Sequence, residues 1–363
     1  MPIPDTPPRP RSIFGTATVA VLTLWWLAGV TGASDTGTPA AGSAERPAFL
    51  RGMTVSCPGY GRIWGSPEMA RTLGELGELG VSWAAIHPYA DVRRDGSIRF
   101  TPAAETGYLG RSVTLAKQAG IELFWKPHLA YWGSFEWRGE IGFGDDSGRW
   151  RRFFDGYRRF IVDQARFAET HRLPLLAVGL EYAQTLGHEA EWRQILAEVR
   201  RVYSGRITYS ANWDRIEQVP FWDAVDLIGV QAYFPLSHEP FPDRRAIERG
   251  WHEPLERLRR LSERYRKPVI FAEIGYDFSA DAASAPWKSV RRDNADTRAL
   301  RRRLMEVALE RVEREPFIAG MFWWKWLPGS RERGDFSMRH PEARQILRAA
   351  WGEQAGAGHH LSR

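Results

Sequence analysis

Short runs of strand-forming residues alternate with helical segments along this chain from Phe49 onward. The run Val269–Ala272 is typical, because its apolar residues stand side by side, as in a strand buried on both faces of a parallel sheet. The pattern predicts eight strands and eight helical segments in strict alternation. A βα unit repeated eight times closes into a barrel of typically about 250 residues, or more with insertions. We therefore predict a single (β/α)8 TIM barrel without a second domain.

A doubly wound open sheet is the main alternative for alternating strands and helices, and it often carries a glycine-rich phosphate loop after its first strand. No such loop follows the first predicted strand of this chain. The predicted strands are Leu50–Val55, Val81–His87, Ile121–Trp125, Leu175–Val178, Arg206–Ser210, Val225–Val230, Val269–Ala272 and Ile318–Phe322. The barrel is therefore the favoured fold.

The first 48 residues differ from the rest of the chain. Arg9 and Arg11 precede an apolar stretch, Ile13–Val30, that ends in small residues, as in a secretory signal peptide. Because this stretch approaches the length of a membrane span, we predict either a signal peptide or an N-terminal anchor at 1–34, then a flexible linker at 35–48. The barrel domain is predicted at 49–355 and a disordered tail at 356–363. We expect export, with the protein secreted or held in the cell envelope.

Charge and cysteine content exclude several classes of function. The formal net charge is +6, but the arginines lie on predicted helix faces, so no nucleic-acid partner is expected. The single cysteine, Cys57, excludes an intrachain disulfide and a cysteine-based metal cluster. We expect a monomer that uses no metal and no cofactor. Tryptophan is abundant, with 17 residues, which suits surfaces that bind sugar rings as well as a core.

Polar and aromatic residues stand at the ends of the predicted strands, where active sites lie in (β/α)8 barrels. Strand ends that served stability alone would more often be small or apolar, so this set predicts a carbohydrate site. It comprises His87, Lys126, His128, Glu181, Asn212, Trp213, Gln231, Tyr233, Glu273 and Trp323–Trp326.

Two of these residues, Glu181 and Glu273, are glutamates that follow the fourth and seventh predicted strands. These strands lie across a closed barrel from each other, so the two side chains can face one another. Hydrolysis of a glycosidic bond needs one carboxylic acid that protonates the leaving oxygen and one carboxylate that attacks or activates water. Carboxyl groups about 5 Å apart indicate retention and about 6.5–9.5 Å apart inversion. The residues alone leave both outcomes open.

Several segments of the chain resemble glycoside hydrolase family 113, a family of (β/α)8 enzymes in a large retaining clan whose characterised members are β-mannanases. The resemblance runs along most of Gly52–Trp326. It rests on WKPH (Trp125–His128), EWRGEIGF (Glu136–Phe143), VGLEY (Val178–Tyr182), YSGRITYSANWD (Tyr203–Asp214), FWDAVDLIGVQAYFPL (Phe221–Leu236), PVIFAEIGY (Pro268–Tyr276), APW (Ala285–Trp287) and GMFWWKW (Gly320–Trp326).

The resemblance implies roles for the strand-end residues. Glu181 would be the acid/base and Glu273 the nucleophile of a retaining double displacement, with Tyr233 orienting Glu273 through a hydrogen bond. Trp324 or Trp326 would stack on the sugar at the cleavage point. The residues implied to contact sugar hydroxyls are Lys126, His128 and Asn212.

The loop after the third predicted strand, Leu129–Gly148, is long and rich in Trp and Gly. Loops of this length are often functional, so we expect Trp132 or Trp137 to line the cleft. Trp213, at the end of the fifth strand, is expected to bind the substrate as well. His87 is either a sugar ligand or a structural hydrogen-bonding residue.

One position departs from the family pattern. Before the acid/base the family has a small hydroxyl residue, usually Thr, and many clan relatives have Asn, whereas this chain has Leu180. In clan members the Asn contacts the substrate 2-hydroxyl through a hydrogen bond that strengthens in the transition state. Leucine cannot make that bond. The prediction is therefore an endo-acting hydrolase of β-1,4-linked polysaccharide or oligosaccharide, with β-mannan as the leading substrate and the sugar left open.

Two other classes of function compete with this prediction. A metal-dependent barrel hydrolase usually carries paired histidines on its first strand, but that strand here ends in Thr54-Val55-Ser56. A cell-surface barrel that binds carbohydrate without cleaving it would keep the aromatic residues and lose a glutamate. Both glutamates are present, so the hydrolase leads and the binding barrel is the alternative.

Overall fold

The computed structural model describes residues 48–57, 59–289, 292–329 and 336–352. The predicted signal peptide or anchor, almost all of the predicted linker and the predicted tail lie outside these residues. Within the described ranges, no helix combines the length and the apolar character that crossing a bilayer requires.

The described part of the chain forms a closed barrel of eight parallel strands. In chain order, all strands are β1 (Leu50–Val55), β2 (Trp83–Ile86), β3 (Tyr89–Val92), β4 (Ile98–Arg99), β5 (Glu122–Trp125), β6 (His128–Ala130), β7 (Leu175–Leu180), β8 (Arg206–Asn212), β9 (Leu227–Gln231), β10 (Val269–Ile274) and β11 (Ile318–Trp326). Around the barrel the order is β1, β11, β10, β9, β8, β7, β5 and β2, which pairs with β1. The predicted TIM barrel is confirmed.

The helices surround the barrel, but the predicted strict alternation is wrong in one place. The helices are α1 (Pro67–Gly77), α2 (Gly107–Gln118), α3 (Ser147–Thr170), α4 (Glu189–Val202), α5 (Arg244–Gly250), α6 (His252–Tyr265), α7 (Ala295–Arg314) and α8 (Pro341–Leu347). Two 3-10 turns, Ile216–Gln218 and Trp222–Ala224, join β8 to β9 in place of a helix. The buried Trp222 indole donates to the Ile216 carbonyl oxygen at 2.7 Å, so these short turns cover the barrel there.

Both faces of the barrel strands are buried, each in its own apolar cluster. Residues two apart, such as Ile270 and Ala272, share a face of a strand and belong to the inner cluster. Their neighbour Phe271 belongs to the larger cluster, which includes residues of the surrounding helices. Because the strands are filled on both sides, polar side chains collect where the strands end. We call this end, formed by the carboxyl ends of the barrel strands, the mouth.

A small sheet of three strands, in the order β4, β3 and β6, lies beside the mouth. Strands β3 and β6 each follow a barrel strand, β2 and β5, after two residues, and they pair in parallel with Tyr89 opposite His128. The sequence analysis assigns Leu129 and Ala130 of β6 to the long loop Leu129–Gly148 and does not predict this sheet. The sheet fixes His128 and Tyr89 next to each other at the mouth.

Candidate active site

Glu273 lies near the end of β10 and is held at both carboxylate oxygens. Its side chain is almost fully buried, with a residue exposure of 4%. Oε1 accepts a hydrogen bond from Lys126 Nζ at 2.5 Å, and Oε2 accepts one from the Tyr233 hydroxyl at 3.2 Å. Lys126 follows β5 and Tyr233 follows β9, so the ends of three strands converge on one carboxylate. This arrangement fixes the direction in which Glu273 can act.

Lys126 is fully buried and forms an ion pair with Glu273. Besides the carboxylate, its ammonium group donates to the Ala272 carbonyl oxygen at 3.0 Å. Burial lowers the pKa of Lys126, and the charge of Glu273 opposes that shift. Lys126 is therefore the cation that pairs with Glu273, and its expected contact with a sugar hydroxyl stays a prediction.

Glu181 follows β7 directly and has a left-handed backbone, with φ of 54°. The strand pairing between β7 and β8 shifts between Ala177 and Leu180, and the Glu181 amide then donates to the Ser210 carbonyl oxygen at 2.9 Å. A non-glycine residue in this backbone region is strained, and such strain concentrates at functional sites. The register shift and the left-handed backbone together turn the Glu181 side chain away from the direction that it would take in a regular strand.

The carboxylate of Glu181 is paired with Arg138. Nη1 of Arg138 donates to Oε2 of Glu181 at 2.7 Å, and the guanidinium also lies over the Tyr131 ring, 5.6 Å from its centroid. Arg138 stands in a 3-10 turn, Arg138–Glu140, within the long loop after β6. Sequence reasoning missed this residue, although it lies in the family-like segment Glu136–Phe143. An arginine inside that segment was the available signal.

The protonation of Glu181 is set by opposing influences. Burial raises its pKa above the usual value, Arg138 opposes the rise, and the charge of Glu273 adds to it. For Arg138, burial acts against the charge, but Glu181 and then Glu273 hold the pKa of the guanidinium above its usual value. Two carboxyl groups with different partners can divide the tasks of proton donor and charged nucleophile. Glu181, with the raised pKa, suits the proton donor.

Two histidines stack beside this pair of carboxylates. The rings of His87 and His128 lie 4.5 Å apart at an angle of 16°, and both side chains are buried. Among the described residues, none makes a hydrogen bond with any of their four ring nitrogens. Burial holds the pKa of each well below the usual value; nearby positive charge, including that of Lys126, lowers both further. Both imidazoles are therefore neutral near pH 7.

The two tryptophans of β11 differ in access to the mouth. Trp324 is half-buried, and its ring lies 6.1 Å from that of His87. Trp326 is fully buried beneath the guanidinium groups of Arg339 and Arg344, which lie 5.1 and 5.7 Å from its ring. A substrate at the mouth can therefore meet Trp324, and the structure does not bring Trp326 to that surface. The peptide bond between Trp324 and Lys325 is cis.

Gly275, next but one to Glu273, permits a close approach between β10 and β11. A side chain there would place its first carbon 2.7 Å from the Trp324 carbonyl oxygen. Only glycine avoids that contact. The residue thus lets the backbone just after β10 pass close to Trp324.

Asn212 and Trp213 lie on the side of the mouth formed by β8. Asn212 lines a small pocket that Glu181 also lines. Trp213 stacks on Trp287, with ring centroids 5.5 Å apart at 22°, and Trp287 is 47% exposed. The family-like segment Ala285–Trp287 contains Trp287, but sequence reasoning assigned it no role. The pair presents an aromatic surface on this side.

The two tryptophans of the loop after β6 have different surroundings. Trp132 is 58% exposed and packs against Tyr89, with ring centroids 5.6 Å apart. Trp137 is half-buried and covers the backbone at Gly139, where a side-chain carbon would lie 2.0 Å from its ring. Trp132 therefore offers a free aromatic surface, and Trp137 packs within its own loop.

Further polar groups at the mouth are buried without a partner in the described chain. They are the Ser210 hydroxyl and both atoms of the Gln231 amide. Gln231 lies opposite Asn212 on one side and Glu273 on the other in the strand pairing. Leu180 is also fully buried and pairs with Ser210. Buried polar groups normally have partners, so Ser210 and Gln231 keep hydrogen-bonding capacity at the mouth that no described side chain uses.

Comparison with known proteins gives one family. The model of glycoside hydrolase family 113 matches residues 53–337. No protein with a curated description matches the sequence.

Solved structures with the same fold include two described as family 113 β-mannanases. One, from Alicyclobacillus acidocaldarius in complex with ManMIm, is 26% identical, with a TM-score of 0.71 over 84% of this chain and 98% of that one. The other, a complex of a β-1,4-mannanase, is 21% identical, with a TM-score of 0.73 over 84% and 99%. A family 5 mannosidase from Rhizomucor miehei in complex with mannosyl-fructose is 10% identical, with a TM-score of 0.57 over 86% and 95%.

Proposed function

The chain belongs to glycoside hydrolase family 113, and on that premise we propose that it cleaves β-1,4-linked mannan within the polymer, with retention of configuration. Glu273 acts as the nucleophile and Glu181 as the acid/base. The observation that carries this proposal is the pair of buried carboxyl groups with separate partners, Glu273 on Lys126 and Glu181 on Arg138. Mannan is supported by the description of the similar family 113 structures as β-mannanases.

In the first step, the Glu273 carboxylate attacks the anomeric carbon of the sugar. The bond from that carbon to the leaving oxygen breaks, and Glu181 gives its proton to this oxygen. Lys126 and Tyr233 keep Glu273 oriented for the attack. The pKa of Tyr233 is raised well above its usual value by burial and by the charge of Glu273, so its hydroxyl remains a donor. The product is a sugar bound through an ester to Glu273.

In the second step, water attacks the same carbon while Glu181 takes a proton from it. The ester bond to Glu273 breaks, and the sugar leaves with its original configuration. Arg138 stays with Glu181 through both steps, since it contacts only Oε2 and leaves Oε1 for the proton transfer. The reaction requires no group beyond water and these side chains.

The test uses the purified protein with a panel of mannan, glucan and xylan polymers. We expect new reducing ends from mannan, a rapid fall in its viscosity, and a first product of β configuration by proton NMR. Glu273→Gln should abolish the reaction and Glu181→Gln should lower its rate by about a hundredfold or more, while glycan binding persists. Binding of a glycan without cleavage by the unmodified protein would favour the non-hydrolytic barrel. Cleavage that both substitutions leave unchanged would refute the assignment of the glutamates.

A further inference from the structure

A groove of about 840 Å³ opens beside the mouth, on the side of β2 and β3. Its walls come from the loop after β1, from β3 and β4, and from the start of α2. Its size falls in the range of about 300–1,000 Å³ that is usual for ligand sites. None of the residues assigned to catalysis lines it.

A chain of aromatic contacts joins the mouth to this groove. The ring of Trp324 lies 6.1 Å from that of His87, His87 lies 5.2 Å from Tyr89, and Tyr89 lies 6.0 Å from Tyr60. Tyr89 and Tyr60 both line the groove. These ring contacts thus run from Trp324 at the mouth through the buried ring of His87 to the groove, and the exposed Trp132, 5.6 Å from Tyr89, lies beside them.

Tyr60 is an exposed ring that the surrounding structure holds in place. It is 54% exposed, yet its hydroxyl donates to Asp91 Oδ1 at 3.0 Å. The Tyr108 hydroxyl donates to the Tyr60 carbonyl oxygen at 2.7 Å and so fixes the backbone as well. A preordered ring loses little freedom when a ligand covers it. This arrangement suits a platform for a flat, partly apolar ligand.

The charges around the groove indicate an uncharged ligand. Arg62 and Arg99 carry positive charge, while Asp91 and Glu105 carry negative charge, so neither sign dominates. Such a wall offers hydrogen-bond donors and acceptors together. A polyanion or a polycation would meet like charge somewhere along it, whereas sugar hydroxyls can use both kinds of group.

We propose that this groove binds sugar units of the same glycan that lie away from the bond being cleaved, with Tyr60 as the stacking platform. The inference rests on the proposed function. Binding in the groove should make the enzyme favour long substrates, because each added sugar unit that reaches the groove adds binding energy.

The experiment compares the unmodified protein with Tyr60→Ala on reduced β-1,4-mannooligosaccharides of increasing length. For the longest substrates, kcat/KM should fall about tenfold in the variant, as expected from the loss of one aromatic contact. For the shortest substrate that is cleaved, kcat/KM should remain unchanged. Tyr60→Phe is the matched control, since it keeps the ring and removes only the hydroxyl, and it should retain the preference for length.

Binding provides a second readout that does not depend on turnover. In a Glu273→Gln background, Tyr60→Ala should weaken the binding of a long oligosaccharide in calorimetry and leave that of a short one unchanged. Equal losses at every length, or no loss at any length, would overturn the proposed groove site. A failure of the unmodified protein to cleave any glycan would instead refute the proposed function, so the two failures are distinct.

Discussion

The guanidinium of Arg138 lies 2.7 Å from Glu181 through a hydrogen bond between Nη1 and Oε2. The two residues are 43 positions apart in sequence. One carboxylate oxygen is thereby occupied, and the other is left for the substrate. The pair puts a fixed positive charge next to the carboxyl group that must donate a proton. Because Arg138 lies in the long loop after β6, the protonation of Glu181 depends on the position of that loop.

Arg138→Met should move the alkaline limb of kcat/KM to higher pH. Arg138 opposes the rise that burial causes in the pKa of Glu181, so its removal raises this pKa further. Activity requires protonated Glu181 and is lost as pH rises through its pKa, hence the upward shift. The rate at the optimum should also fall about tenfold to a hundredfold, because a charged hydrogen bond is lost.

Full pH–rate profiles measure this effect, with Arg149→Met as the matched control. Arg149 follows in the same part of the chain and pairs with Asp146 on the surface. Its loss should leave the profile in place. Identical alkaline limbs in the Arg138 variant and the unmodified protein would contradict a role for Arg138 in setting the acid.

Glu181→Ala should lower hydrolysis of the natural glycan by about 10²–10⁴-fold, the usual contribution of a general acid or base. An aryl glycoside with a dinitrophenyl leaving group needs no proton, so its first step should remain fast. Azide should then restore turnover and give a glycosyl azide of β configuration, which NMR identifies. A product of α configuration would show inversion and rule out double displacement.

Lys126→Met should destabilise the fold by about 3–5 kcal/mol, because it leaves the Glu273 carboxylate buried without its cation. Adding Glu273→Gln should recover much of this loss, since the remaining amide carries no charge. Urea unfolding of the two single variants and the double variant measures the coupling.

The matched surface pair is Arg71 with Glu68, whose side chains are 66% and 38% exposed. Arg71→Met should change the free energy of unfolding by less than about 1 kcal/mol. A loss for Lys126→Met no larger than this would mean that Glu273 is solvated in solution.

His87→Phe should make the stability less sensitive to acid. Burial holds the pKa of His87 in the folded protein well below its usual value. Below about pH 6.5, His87 therefore binds a proton in the unfolded chain but not in the folded protein. The free energy of unfolding therefore decreases as the pH is lowered below this value, by up to about 1.4 kcal/mol per pH unit for one histidine. Urea unfolding at several pH values measures the slopes, and equal slopes for both proteins would contradict a neutral buried His87.

Gln231→Met should raise stability and lower activity together. Both amide atoms of Gln231 are buried without a partner among the described residues, and removing such a group relieves about 1–3 kcal/mol. The same change removes polar atoms beside Glu273 in the strand pairing, so kcat/KM should fall about tenfold or more. Unfolding curves and kinetics on one preparation measure both. A variant that is less stable and fully active would show that Gln231 is only structural.

The sequence predicted the architecture because the relevant signals are local. Apolar runs such as Val269–Ala272 mark barrel strands on their own, and a carboxylate just beyond the run, as at Glu273, lies at the mouth in any closed barrel. The same reasoning failed between β8 and β9, where two 3-10 turns replace a helix. A connecting segment of this length shows no periodic pattern by which a helix could be distinguished from 3-10 turns.

The partners of the mouth residues were decided only by tertiary structure. Lys126 reaches Glu273 across 147 positions, and no local pattern indicates that this lysine pairs with a carboxylate rather than a sugar. Trp324 and Trp326 look alike in sequence, yet one faces the mouth and the other is covered by arginines of the last helix region.

Strand periodicity thus determined the barrel and the placement of Glu181 and Glu273 at its mouth, since alternation and strand ends depend on neighbouring residues. The charge partners, the stacked histidines and the groove at Tyr60 depend on residues brought together from distant loops. Their contacts arise only when the barrel closes, because closure alone sets the distances between the ends of different strands.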